Sequence, residues 1–254
     1  TVAAMQMVRE KGARLIAICN VADSQASRLA ENTLHMRAGI EIGVASSKTY
    51  TASLTILNVL ATYLGQAKGY LTPEDCRRLV DGLASVPGMM GELLTGDINY
   101  QDLARQYSKF NNFLFLGRGI NSPVAMEGAL KLKELSYIHA EGYSAGEMKH
   151  GPIALIDSNM ATVVIVPQDR LYDKVLNNLK EVKSREGNVL AIMTEGDKDL
   201  VMEVDHAVAI PQAPEHLVPL LATIPLQLLA YHIAVLRSRD VDQPRNLAKT
   251  VTVE

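Results

Sequence analysis

Glu127, Lys131 and Glu134 are spaced for acid–base chemistry. At about 100° per residue of helix they share an arc of roughly 60°. Val124, Ala125, Met126, Ala129, Leu130, Leu132 and Leu135 take most of the remaining circumference, with Lys133 the only other charge in that stretch. A helix apolar on nearly every side is a buried helix, and a charged stripe on it is costly unless the charges pair or face a polar cavity. On one reading Glu127 and Lys131 form an ordinary i, i+4 salt bridge. On the other, Glu134 is partly desolvated, its pKa is raised, and it serves as a general base beside a cationic Lys131.

Segment 139–152, HAEGYSAGEMKHGP, follows that stretch and is dense in groups that titrate or donate hydrogen bonds. Glu147 and His150 make one Glu-x-x-His pair, whereas di-metal bundles need two such pairs and further carboxylates, so no metal is expected. His150, in a loop among Gly and Ser, is either structural or an acid–base residue. The loop Gly43-Val44-Ala45-Ser46-Ser47-Lys48-Thr49 leads into a helix, and its hydroxyls and backbone amides suit an anionic or polyhydroxyl ligand. It lacks the second Gly directly before Lys48 that a nucleotide P-loop needs, and Ser46 and Ser47 serve equally as helix caps. Gly117-Arg118-Gly119 precedes a helix as a dinucleotide fingerprint would, but Ser122 takes the third glycine position, which weakens a dehydrogenase reading. By pattern alone Lys249 is an ordinary surface lysine.

The elements that must position these groups follow from hydrophobic period. Short β-branched runs alternate with longer segments of helical period, which predicts βα units, parallel sheets and an α/β fold. Strands are expected at 15–19, 33–36, 112–116, 162–166, 189–193 and 206–210, and helices at 1–11, 47–64, 73–84, 100–109, 123–137, 171–185 and 217–237. Ser122 is the expected cap and Pro123 the first residue of the helix that carries the charged stripe. Segments 1–64 and 171–236 both run helix, Gly (Gly12, Gly187), strand, short strand, loop, long apolar helix, a faint internal repeat. Further strands and a helix at 112–166 precede only the second copy. The chain is therefore expected to begin inside its first unit and to leave a sheet edge open, the alternative being a first unit that is simply smaller. Residues 73–109, broken at Pro87 and Gly88, would bridge the two units.

Composition narrows the function classes. The 254 residues are 48% hydrophobic and 21% charged, an ordinary globular balance. A net charge of −3, with basic residues scattered, offers no footprint for nucleic acid. Cys19 and Cys76 make no metal-ligand spacing and fit a reducing, cytoplasmic setting. The apolar run 217–236 is interrupted by Pro219, Pro225, Gln227 and His232 and reads as a buried helix rather than a membrane span.

EIGVASSK (41–48), LGRG (116–119), EGALKLKE (127–134), HAEGYSAGEMKHGP, IPLQLLAYH (224–232) and DVDQPRNLAKTVTVE (240–254) together resemble the isomerase part of the glucosamine-6-phosphate synthase family, over essentially the whole chain. The resemblance implies two sugar-isomerase (SIS) subdomains, each a parallel sheet flanked by helices. The first would be incomplete at 1–70, followed by a helical connector at 71–110, a second subdomain at 111–237 and an active-site tail at 238–254. It implies conversion of fructose 6-phosphate and ammonia to glucosamine 6-phosphate, with no cofactor and no metal. A glutaminase domain would lie upstream to supply the ammonia, and the family's phosphate-binding loops would precede Thr1, leaving this chain alone inactive and weak in sugar binding. By motif, Glu134 would move a proton between C1 and C2, Lys131 would assist at the neighbouring hydroxyl, and His150 would help open the sugar ring from the partner subunit of a homodimer. Lys249 would be the amine that engages C2, and Val44, Ser46 and Ala248 would contact the sugar. The rival reading is a phosphosugar-binding regulatory module, which needs none of Glu134, Lys131, His150 and Lys249 together.

Overall fold

The computed structural model describes residues 1–249; the remainder of the expected tail, 250–254, lies outside the described residues. The chain divides into two compact units, one formed by 1–42 and 46–80, the other by 43–45 and 81–254.

In the first unit, α1 (Val2–Glu10) leads to β1 (Ile16–Cys19), α2 (Gln25–Leu29), β2 (Asn32–His35) and the long α3 (Lys48–Ala67). β1 and β2 form a parallel pair, Ile16 opposite Asn32. α2, which the sequence reading left unassigned, is a single short turn capped by Ser24, whose side chain accepts from the Ser27 amide. Burial here is thin: Ala17 is the one buried apolar residue among the described residues of 1–80, while Ile16, Ile40, Ile42 and Tyr70 are exposed.

The second unit begins inside α4 (Pro73–Thr95), which runs through Pro87 to Thr95. The expected break at Pro87 and Gly88 does not occur. Proline removes one backbone donor from the ladder, but Val86 and Leu93 are both buried and hold the two stretches in one helix. After α5 (Tyr100–Tyr107), a five-stranded parallel sheet is built in the order β4-β3-β5-β6-β7 from β3 (Asn112–Gly117), β4 (His139–Ser144), β5 (Met160–Val166), β6 (Asn188–Thr194) and β7 (His206–Ile210). α6 (Asn121–Ser136), α7 (Tyr172–Lys183), α8 (Lys198–Glu203) and α9 (Val218–Leu236) complete it. β3, β5 and β6 are buried along almost their whole length, as expected for a parallel sheet covered on both faces.

β4 is not among the expected strands. HAEGYS has no alternation to mark it, and pairing with β3, Asn112 opposite His139, supplies what local pattern does not. α6 begins at Asn121 with no side-chain cap from Ser122. The Asn121 and Ser122 amides instead donate to Arg118 O and Gly119 O, both at 3.1 Å, so the tight strand-to-helix turn satisfies them. α9 is long and apolar enough to cross a membrane by composition, but it is mostly buried and packs on α5 and α6 as a core helix.

The internal repeat holds in element order and pairing. α1-β1-α2-β2-α3 matches α7-β6-α8-β7-α9, and both strand pairs are parallel with partners sixteen residues apart, Ile16 with Asn32 and Leu190 with His206.

Candidate active site

α6 packs on β3 and β4 and against α9, and two glycines set how closely. A Cβ on Gly142 of β4 would come within 2.4 Å of Met126 Cα, and one on Gly128 of α6 within 2.9 Å of Leu226 Cδ1. This close packing buries the charged stripe: Lys131 is 3% exposed. Its Nζ lies 2.7 Å from Glu134 Oε2 and 3.5 Å from Glu127 Oε1. Both oxygens are buried and neither accepts an aligned hydrogen bond, so the contacts are ionic. Two carboxylates thus share one buried ammonium. Burial, with a smaller push from the charge of Glu134, raises the Glu127 pKa above its ordinary 4.5, and Lys131 opposes the rise. The salt bridge and the acid–base stripe are therefore one arrangement, with the shorter contact to Glu134.

Glu134 also lines an open groove of about 440 Å³ with Tyr137, His139, Arg245 and Leu247, so the stripe's last carboxylate faces the segment that leads to Lys249. That segment leaves α9 at Arg237, whose Nη2 donates to Ser108 O and Phe110 O at 2.8 and 3.0 Å. Asp240 Oδ1 then accepts from the Asp242 and Gln243 amides, and Asp242 O accepts from the Val44 amide at 2.9 Å. Further on, Lys249 Nζ donates to Gly43 O at 2.9 Å and to Val44 O at 3.4 Å. The structure therefore brings Lys249, and with it the adjacent Ala248, to Val44.

In the first unit, Ser46 Oγ lies 2.7 Å from Thr49 Oγ1. Ser47 stands at the N-cap position of α3 but makes no side-chain cap bond. Glu41 does that work: its Oε1 accepts from the Ser47 and Thr49 amides and its Oε2 from Thr49 Oγ1. Two of the amides that looked open to an anionic ligand, those of Ser47 and Thr49, are held by the chain's own carboxylate.

The SIS-domain signature matches 1–63 and 106–237. The chain belongs to the SIS-domain family. A glutamine–fructose-6-phosphate aminotransferase (isomerizing) of Bacteroides thetaiotaomicron is 49% identical over 254 residues, all of this chain and 41% of that protein. The enzyme of the same name from Thermus thermophilus is 47% identical, again over all of this chain and 42% of the relative. The C-terminal domain of glucosamine-fructose-6-phosphate aminotransferase from Francisella tularensis superposes with a TM-score of 0.91 at 37% identity, covering 96% of this chain and 70% of that one. The chain spans about two-fifths of the length of the curated relatives it matches.

In this SIS chain the 3-10 helix Ala145–His150 carries His150 at its end. Ala145 and Met148 are fully buried and Lys149 Nζ lies 2.7 Å from Glu181 Oε1, while His150 is exposed. No hydrogen bond or ion pair among the described residues ties His150 to Lys131 or Glu134. Sequence reasoning missed Glu41 as a cap and gave no role to Tyr137 or Arg245. A helix that ends on Tyr137 with no glycine after it was the available signal.

Proposed function

We propose that this SIS chain performs the isomerase chemistry of a glutamine–fructose-6-phosphate aminotransferase. The Lys249 amine adds to the C2 carbonyl of open-chain fructose 6-phosphate and water leaves, giving an imine; ammonia then displaces the lysine. Glu134 takes a proton from C1 and the proton is returned at C2, which leaves an aldehyde at C1 and an amine at C2, glucosamine 6-phosphate. The balance is one ketose phosphate and one ammonia in, one amino-aldose phosphate and one water out. Lys131 stabilises negative charge developing at the neighbouring oxygen. Val44, Ser46 and Ala248 contact the sugar, and His150, exposed on its 3-10 helix, assists ring opening in the neighbouring subunit of a homodimer. A glutaminase domain supplies the ammonia, and the enzyme works in the cytoplasm.

The observation that carries this reading is Glu134 in ionic contact with buried Lys131 while lining the groove along the Lys249-bearing segment. The test is Glu134→Gln in the whole enzyme. Glutamine keeps the shape of Glu134 but cannot take a proton, so turnover should fall by ~10² to 10⁴ with fold and sugar affinity kept. Unchanged turnover per folded molecule in a destabilised protein would end the catalytic reading.

A further inference from the structure

We propose that Tyr137 is a positioning residue for Lys249, a latch that fixes the amine-bearing segment against the end of the helix that carries Glu134. The inference rests on the amine role given to Lys249 above. Tyr137 closes α6 with φ at 61°, in the left-handed region. Glycine is the ordinary residue there, because a Cβ is penalised in that conformation. Helix termination therefore does not call for a tyrosine, and its side chain must be held by something else.

What it holds is the segment that follows α9. The Arg245 guanidinium lies 4.3 Å from the ring centroid and that of Arg239 5.2 Å, two cation–π contacts from residues on either side of the Asp240 turn. The hydroxyl oxygen of Tyr137 accepts from the Arg245 amide at 2.7 Å. One ring thus fastens two points of the segment, and a backbone hydrogen bond sets the path of the chain four residues before Lys249. Tyr137 lies three residues beyond Glu134 on the same helix, so base and amine are referred to one rigid element. The Asp242 to Val44 bond and the Lys249 to Gly43 bond fix the segment further along its path.

The test uses Tyr137→Phe, which keeps the ring and loses the acceptor, and Tyr137→Gly, which loses both and relieves the left-handed backbone. Three readouts on the whole enzyme decide it. Amide hydrogen exchange at Arg245 and the residues leading to Lys249 should speed up by about five- to tenfold in Tyr137→Phe, the equivalent of one ordinary hydrogen bond. Borohydride reduction of the imine with fructose 6-phosphate, read as the mass of a Lys249 peptide, should slow in Tyr137→Phe and more so in Tyr137→Gly. Steady-state kinetics should show kcat falling while KM for fructose 6-phosphate holds. Unchanged exchange at Arg245, or unchanged Lys249 trapping in Tyr137→Gly, would overturn the proposal, as would a lower melting temperature with normal turnover per folded molecule. Lys249→Ala separates the two layers. Full turnover in that variant would sink the amine role itself, whereas trapping lost in Lys249→Ala and merely slowed in the Tyr137 variants supports the latch.

Discussion

Two carboxylates on one buried ammonium leave a negative charge that the site does not neutralise, and Glu127 carries the cost. Its raised pKa has a definite sign in stability. The native protein keeps the Glu127 proton to higher pH than the unfolded chain does, so stability is lost as pH rises from 4.5 through the raised value. Glu127→Gln stays neutral and lacks that loss. Urea midpoints for both proteins between about pH 4 and 8 should therefore diverge in favour of the variant as pH rises; parallel curves would mean that Lys131 offsets the cost of burying Glu127 and its pKa is not raised on folding. This triad was legible in the sequence because a charged arc on an otherwise apolar helix is a rare pattern with a physical cost. Tyr137 was legible only as a helix end without a glycine, since its significance depends on a φ value and on two arginines that lie over a hundred residues away.

Among the elements, β4 illustrates how pairing overrides pattern. It lies at the edge of the sheet, has no apolar alternation, and comes close to α6 only because Gly142 carries no side chain. Gly142→Ala would force a Cβ to within 2.4 Å of backbone at Met126, which neither side can yield by a rotamer change. We expect a loss of about 1–3 kcal/mol, measured as a lower urea midpoint at unchanged slope. Because the shift would move α6 as a body, Lys131 and Glu134 would travel together and the contact between them should survive. The buried strands β3, β5 and β6 were readable from continuous apolar runs, whereas the course of α4 through Pro87 was not, because it is decided by the burial of Val86 and Leu93 on either side.

For the molecule as a whole, the two units differ sharply in how much apolar surface they hide. The second has nearly all the core, while the first leaves Ile16, Ile40 and Ile42 exposed. Amides of β1 and β2 should therefore exchange with solvent well ahead of those of β3, β5 and β6, and thermal unfolding of this chain should not fit a single two-state transition. Equal protection in both sheets would contradict this. The matched order of the two halves was visible in the sequence as a faint recurrence of types. Their common strand offset was not, since α2 and α8 share almost no residue pattern. That offset has an evolutionary meaning. If the halves descend from one duplicated ancestor, what survived is a distance along the chain rather than any side chain on it: sixteen residues carry each strand to its parallel neighbour. Such crossovers should drift freely in composition across descendants while resisting insertion and deletion, so that length outlives sequence as the heritable trait.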